Sequence, residues 1–385
     1  MKMSSPLTGI TVIELGHSVA APYAGLILAS LGAEVIKIER PSKGDDARAW
    51  GPPFVDGSST MFNCLNRHKQ SVEIDLKSAE GIAQIRRLTN NADVFLQNLR
   101  PEQADHLGLG ANILRASNPA LIYATISAFG DKGPLKDRPG YDPLMQAFAG
   151  LMSVTGEEGR PSIRSGTSMV DMGSGLWVVI GVLTALNTRN KTGEGSVVGT
   201  SLFETGLGWM LYHAPAYAIS QKLPRKLGSG TFAIAPYEAF MASDGEIIIA
   251  AGNNNLFCKL ADVLNEPNWK NDTRYATNAD RVLNRENLRI SIANIIITDT
   301  RAAWVEKLEN QNIPCAPVQT IDQVIDHPQT HALDIISNDS NGSIYMDIPV
   351  LLNGIRPRGK GDPPKLGTSN SILKSLDAPN SDTVL

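Results

Sequence analysis

Residues 10–41, ITVIELGHSVAAPYAGLILASLGAEVIKIERP, read as strand, turn, helix and strand. Two short runs rich in isoleucine and valine flank a segment whose apolar residues return at helical spacing, from Tyr23 through Ile27 to Leu31. Gly32 then supplies a suitable helix stop. The chain therefore opens with a βαβ unit.

The same alternation continues through SVEIDL (71–76), AEGIAQIRRLTNNA (79–92), DVFLQNL (93–99), the helical stretch around LRASNPA (114–120) and the apolar run LIYATISAFG (121–130). This order predicts an α/β core, a parallel sheet with helices on its faces. GSGLWVVIGVLTALNTRN (173–190) reads as a helix apolar on nearly every side, suited to a core or an interface and short for a membrane span. Near Gly228 the texture changes to glycine and short strands, with an Asp244-Gly245 turn between EAFMAS and EIIIAAG. A first, larger domain is expected over 1–224 and a smaller α/β domain over 225–315. Beyond IPCAPVQTIDQVIDHPQ (313–329) proline and glycine punctuate an extended chain, as in RPRGKGDPPKLG (356–367). Residues 316–385 are expected to return to the large domain or to cover a partner subunit.

A chain of 385 residues exceeds what one hydrophobic core usually organises, in keeping with two substructures. Apolar residues make up 42% and charged residues 19%, which suits a chain able to bury a large interior. A net charge of -4 with no lysine or arginine cluster offers no field for nucleic acid or an anionic membrane. MKMSSPLTGITVIEL has no sustained apolar run of the secretory kind, so a cytoplasmic address is the default expectation. Cys64, Cys258 and Cys315 form no CxxC pair and the six histidines show no HExxH motif, so no metal site is expected.

Four stretches hold side chains able to do chemistry. Gly16, His17, Ser18, Val19 and Ala20 form the turn into the first helix, where unpaired backbone N–H groups favour an anion. The turn is not a GxGxxG fingerprint, and Glu39 only partly matches a ribose-binding acid; a plain βα turn is the alternative. Arg40, Lys43 and Arg48 follow in a glycine- and proline-rich loop at the carboxyl end of a strand, where Arg48 either clamps an anion or pairs with Asp45 or Asp46. Asn66, Arg67 and Lys69 precede the next strand, and a solvated turn is their simplest reading. Asp171 stands in SGTSMVDMGSGLW, where a loop of small residues becomes the long apolar helix. A helix start favours the ionised carboxylate and predicts a depressed pKa, either for nucleophilic acyl transfer or for simple capping.

Together these segments, with NRHKQSVEIDL, NPALIYATISAFGDKGP, PGYDPLMQAFAGLM and AAGNNNLF, resemble the class III CoA-transferase family, which includes formyl-CoA transferase and the carnitine CoA-transferase type of enzyme. The resemblance implies a Rossmann-like large domain, a smaller α/β domain and an interlocked homodimer. It places the nucleophilic aspartate on Asp171. Positions that contact CoA fall on His17, Ser18, Val19, Ala20, Arg40, Asn98 and Leu99, with His106 where relatives present an arginine. Tyr141 matches an aromatic position near the reacting groups. The covering glycine loop of formyl-CoA transferase corresponds to LGSGTFAIAP, which keeps only Gly228 and Gly230.

The implied reaction moves CoA from an acyl-CoA donor to a free carboxylic acid through an aspartyl anhydride and an aspartyl-CoA thioester. CoA enters as a substrate, and no tightly bound cofactor is expected. GDDARAWGPPF with GPLKDRPGYD looks closer to transferases acting on small dicarboxylates, with Arg48 and Arg164 as candidate receivers of a second carboxylate. An α-methylacyl-CoA racemase of the same family would carry Gly-His-Asp where this chain has Gly140-Tyr141-Asp142. An NAD-dependent oxidoreductase on a Rossmann core is the rival from another class.

Overall fold

The structure, a computed structural model, describes residues 5–375; residues 1–4 and 376–385, at the outer ends of the expected 1–224 and 316–385 segments, lie outside the described residues. The chain divides into two compact units. The first comprises residues through Ala149, Ser165–Met210, and those from His331 onward. The second comprises Gly150–Arg164 and Leu211–Thr330.

In the first unit six strands form one sheet: β1 (Thr11–Leu15), β2 (Glu34–Glu39), β3 (Gln70–Glu73), β4 (Val94–Gln97), β5 (Ile122–Ser127) and β6 (Val197–Ser201). Their spatial order is β3-β2-β1-β4-β5-β6 and every pairing is parallel. This is the Rossmann-like arrangement, whose order reverses between β1 and β4 and leaves a crevice at the strands' carboxyl ends. The strands are apolar because both faces are covered: Ile13, Val72, Phe95 and Tyr123 are buried with Ile85 and Leu88 of α2 (Ala79–Asn90).

The helix α1 (Ala20–Ser30) is buried at every residue except Tyr23, which explains its small side chains. A long helix, α4 (Met169–Thr192), lies against it, and a Cβ at Gly175 would stand 2.8 Å from the Ala20 carbonyl oxygen. Glycine there lets the two helices close up. At 24 residues α4 is longer than the sequence suggested, and its length and apolarity alone would suffice to cross a membrane. Val170, Val178, Val179, Val182 and Leu186 are instead buried in the protein.

Two further helices flank its amino end, α3 (Asp142–Phe148) and α5 (Leu202–Trp209). Residues from His331 onward hold to the outer strand and the loops beside it. The Ser369 amide donates to Ser71 O, the Arg67 guanidinium to Met346 O, and Arg67 and Arg358 both pair with Asp347.

The second unit has a three-stranded antiparallel sheet of β7 (Tyr237–Ala242), β8 (Gly245–Ala250) and β9 (Cys315–Pro317). Phe240, Ile247 and Ile249 pack with Phe257, Trp269, Ile292 and Trp304 beneath it. This unit extends beyond 225–315 at both ends and gains residues 150–164, for identifiable reasons. Cys315–Pro317 completes the sheet, Gly156 and Glu157 pair with Leu227 and Gly228, and Tyr212 packs on Phe232. The return to the first unit therefore begins near His331 rather than at 316.

Candidate active site

The crevice of the first unit lies where β1 and β4 diverge. After β1 the chain turns through His17 and Ser18, and Ser18 adopts φ 69°, a left-handed conformation that costs a residue bearing a Cβ. Two side chains hold the turn. Asn98, just past β4, accepts from the His17 amide at 3.0 Å and donates to its carbonyl at 2.8 Å. Asp45 accepts from the Ser18 amide at 3.1 Å.

Beneath the turn lies a buried charge cluster that the sequence reading missed. Lys37 Nζ is 3.0 Å from both Glu14 Oε1 and Asp45 Oδ2 and donates to Gly16 O at 2.7 Å. Lys69 Nζ meets Glu14 Oε2 at 2.8 Å and donates to Pro22 O and Asn66 Oδ1. Burial works against the charges of Asp45 and Lys37, but Lys37 and the bonded amides hold Asp45 below its ordinary range, while Glu14 and Asp45 raise Lys37. Burial wins at Lys69, whose pKa falls to about 8. Asn66, Arg67 and Lys69 are thus interior groups rather than a solvated turn. A Cβ on Gly25 would lie 1.8 Å from Glu14 Oε2, so only glycine leaves room for the cluster.

The second wall is the amino end of α4. Its N-cap residue, Ser168, makes no side-chain capping bond. The buried Asp142, from the start of α3, caps the helix instead: its Oδ2 accepts from the amides of Val170 at 2.8 Å and Asp171 at 3.3 Å. Asp171 is therefore not the cap. Its carboxylate accepts no hydrogen bond from the described residues and lines a cavity of about 200 Å³ with the 17–20 turn, Asn98, Leu99, Arg138 and Tyr141.

Burial, seconded by the Asp142 charge, pushes the Asp171 pKa up to about 7. This overturns the expected depression. The first-turn amides are occupied by Asp142, and desolvation outweighs what remains of the helix field. His17, also in the wall, is lowered by burial against the pull of Asp45.

A neighbouring cavity of about 240 Å³ shares His17, Leu99 and Gln103 with the first, and Ile38, Ile74 and Leu76 give it an apolar floor. Arg40 stands at this second cavity, paired with Asp46. Of the expected positions, His17, Ser18, Val19, Ala20, Asn98, Leu99, Tyr141 and Asp171 share one cavity, and Arg40 lies in the adjoining one. His106 lines neither of these two; it borders a third, more open depression that shares Arg100, Pro101 and Gln103 with the first.

Arg48 is not available to a substrate. Its guanidinium makes a two-bonded pair with Glu39 at 2.7 and 2.6 Å, donates to Ser58 and Pro364 O, and stacks 3.7 Å from the Phe62 ring centroid. Glu39 also accepts from Ser71 and the Asp45 amide, so it is not free for a ribose. Gly228 and Gly230 belong to the second unit, Gly228 pairing with Gly156 and the Gly230 amide donating to Leu227 O. Arg164 belongs to that unit as well. Among the described residues no group of three histidine, cysteine or carboxylate side chains is placed to hold a metal ion.

The sequence reading met Asp45 only as a possible partner of Arg48 and Asp142 only within Gly140-Tyr141-Asp142, and gave neither a role in the site. Local spacing does not reveal that a carboxylate will reach across the fold to cap another segment.

Residues 7–370 match the family described as CoA-transferase family III. The chain is 35% identical over 383 residues to a succinate–glutarate CoA-transferase of Agrobacterium fabrum, covering 97% of this chain and 96% of that protein. It is 36% identical over 324 residues to the succinyl-CoA:glutarate CoA-transferase of Mus musculus, covering 84% and 74%. A solved CAIB/BAIF family protein from Brucella suis matches with a TM-score of 0.87 at 35% identity, over 97% of this chain and all of that one. The chain belongs to CoA-transferase family III and is an enzyme that transfers coenzyme A between an acyl-CoA and a carboxylate.

Proposed function

We propose that the enzyme moves CoA from succinyl-CoA or a similar donor to a small dicarboxylic acid, with Asp171 as the covalent nucleophile. The observation that carries this reading is the carboxylate of Asp171, half-buried in the cavity beside the 17–20 turn and left without a hydrogen-bond donor among the described residues. A carboxylate satisfied by donors is a poor nucleophile; one held in place and unsatisfied is ready to attack. The names of the Agrobacterium and mouse relatives support the dicarboxylate class.

In this scheme ionised Asp171 attacks the thioester carbonyl of the donor, the C–S bond breaks, and CoA leaves as thiolate. The thiolate attacks the aspartyl carbonyl of the resulting anhydride, releasing the donor carboxylate and leaving an aspartyl-CoA thioester. The acceptor carboxylate attacks that thioester, again expelling thiolate. Thiolate then attacks the acceptor's carbonyl, which yields the new acyl-CoA and restores the Asp171 carboxylate. No proton is consumed, and each step exchanges a thioester for an anhydride or the reverse. Water must be kept out of both.

The adjoining cavities fit the rest of the donor. The apolar floor of Ile38, Ile74 and Leu76 suits a flat base, and Arg40 at its rim suits a phosphate. The reading includes a homodimer, for which the interlocked form remains the expectation. Leu176, Trp177, Ile180 and Leu183 are exposed along α4 and need cover. An NAD-dependent dehydrogenase is disfavoured because Glu39 is consumed by Arg48 and the turn lacks the glycine pattern. A racemase would need a base at position 141, which is a tyrosine.

Mixing the enzyme with succinyl-CoA, quenching and mapping the peptides should reveal an adduct on Asp171, and hydroxylamine should trap it. A screen of glutarate, oxalate and monocarboxylates should show turnover with the dicarboxylates. Sustained transfer by Asp171→Ala would sink the nucleophile assignment, while activity confined to monocarboxylates would sink the substrate class.

A further inference from the structure

The geometry points to Asp45 as the positioning residue for CoA binding, fixing the backbone of the 17–20 turn from below. The inference rests on the reading that acyl-CoA occupies the two adjoining cavities. Asp45 is buried, 5% exposed, and each of its oxygens has a separate task. Oδ1 accepts from the Ser18 amide at 3.1 Å and from the Ala47 amide at 3.0 Å, while Oδ2 faces Lys37 Nζ at 3.0 Å. One carboxylate thus ties the turn after β1 to the loop after β2, and each of those segments walls one cavity.

The turn needs such a tie. Ser18 at φ 69° stands in a region that residues other than glycine enter only when their surroundings hold them there. Gly16 O and Pro22 O, at the two ends of the turn, are bonded by Lys37 and Lys69. The cluster therefore grips the peptide at its start, at its strained residue and inside the first turn of α1. The same grip sets which way the turn's remaining groups face the cavity. Among the acids of the cluster, only Asp45 bonds the backbone of the turn; Glu14 reaches it through the two lysines.

Charge and geometry make opposite forecasts, which gives the test its force. CoA is a polyanion, so deleting a nearby negative charge would strengthen its binding if electrostatics governed. Loss of the Ser18 tie would weaken it. Binding of free CoA to the full-length enzyme is measured by calorimetry for the wild type, Asp45→Ala and Asp45→Asn, with succinyl-CoA kinetics alongside. Asparagine keeps an oxygen for the two amides but not the charge for Lys37.

The positioning role predicts that Asp45→Ala weakens CoA binding and raises KM for succinyl-CoA by roughly tenfold or more, with a much smaller fall in kcat. Asp45→Asn should stay within about threefold of the wild type in affinity, although its melting temperature falls because Lys37 loses a partner. Folded Asp45→Ala with wild-type or tighter affinity overturns the proposal. So does folded Asp45→Asn with a tenfold loss, and this outcome decides the question even if the alanine variant does not fold. A wild-type enzyme that binds no CoA would instead overturn the underlying reading of the cavities.

Discussion

Two aspartates, one buried and one half-buried, wall or underlie the same cavity, and their environments drive them in opposite directions. Asp45 meets a lysine and two backbone amides, which hold its pKa below the ordinary value. Asp171, on the first turn of a helix that should favour a negative charge, meets no donor among the described residues and rises to about 7. The helix amides that would have lowered it are taken by Asp142. Burial costs both carboxylates; what separates them is whether partners offset that cost. The satisfied carboxylate holds backbone in place, and the unsatisfied one is left for chemistry.

The sharpest way to break this contrast is Asp171→Asn. An amide cannot form the anhydride, so kcat should fall by roughly a thousandfold or more. Steady-state transfer from succinyl-CoA to glutarate measures it, and a loss below tenfold would place the reacting group elsewhere.

Lys37→Met tests the satisfied side. It leaves Glu14 and Asp45 buried with half their compensation gone, and should lower stability by about 3–5 kcal/mol. Urea unfolding checks this; a loss under about 1 kcal/mol would mean that the cluster tolerates an unpaired charge.

The Asp171 contrast also has a stability signature. Its pKa in the folded chain is about 7, against an ordinary carboxyl near 3.8. Between those values the folded state holds a proton that the unfolded state has lost, so rising pH through that window costs stability. Asp171→Asn should match the wild type near pH 4 and exceed it above pH 7 by ~1–3 kcal/mol. Thermal melts at the two pH values read the difference, and equal stabilities at both would refute the unsatisfied-carboxylate picture.

The smallest effect is that of Asp142→Asn. Removing this charge relieves the second cause of the Asp171 shift while burial, the first, persists. The acid limb of kcat/KM, expected near pH 7 in the wild type, should move to lower pH by less than about one unit. Movement to higher pH would mean that the capping of α4 matters more than the repulsion.

The Rossmann-like core was legible because parallel strands covered on both faces must be apolar, and helices between them must repeat at helical spacing. That reasoning located β1, α1, β2, β4 and β5 from residues 10–130, and Asp171 stood out as an acid at the start of an apolar helix. Arg48 did not yield to it. An arginine in a loop carries the same local signature whether it meets a substrate or a buried Glu39 beneath a ring of Phe62. The turn at 66–69 looked solvated for a similar reason, since it takes Glu14, arriving from β1 on the far side of β2, to make a buried Lys69 tolerable.

Local patterning by itself therefore determined the order of strands and helices, the apolar faces and the place of the turn after β1, because these depend on residues close together in the chain. The tertiary structure alone decided which charges are free and which are spent. The partners of Asp45, Arg48 and Lys69, and the capping of α4 by Asp142, come from segments that only folding brings together, and a side chain's protonation follows the groups it meets in space.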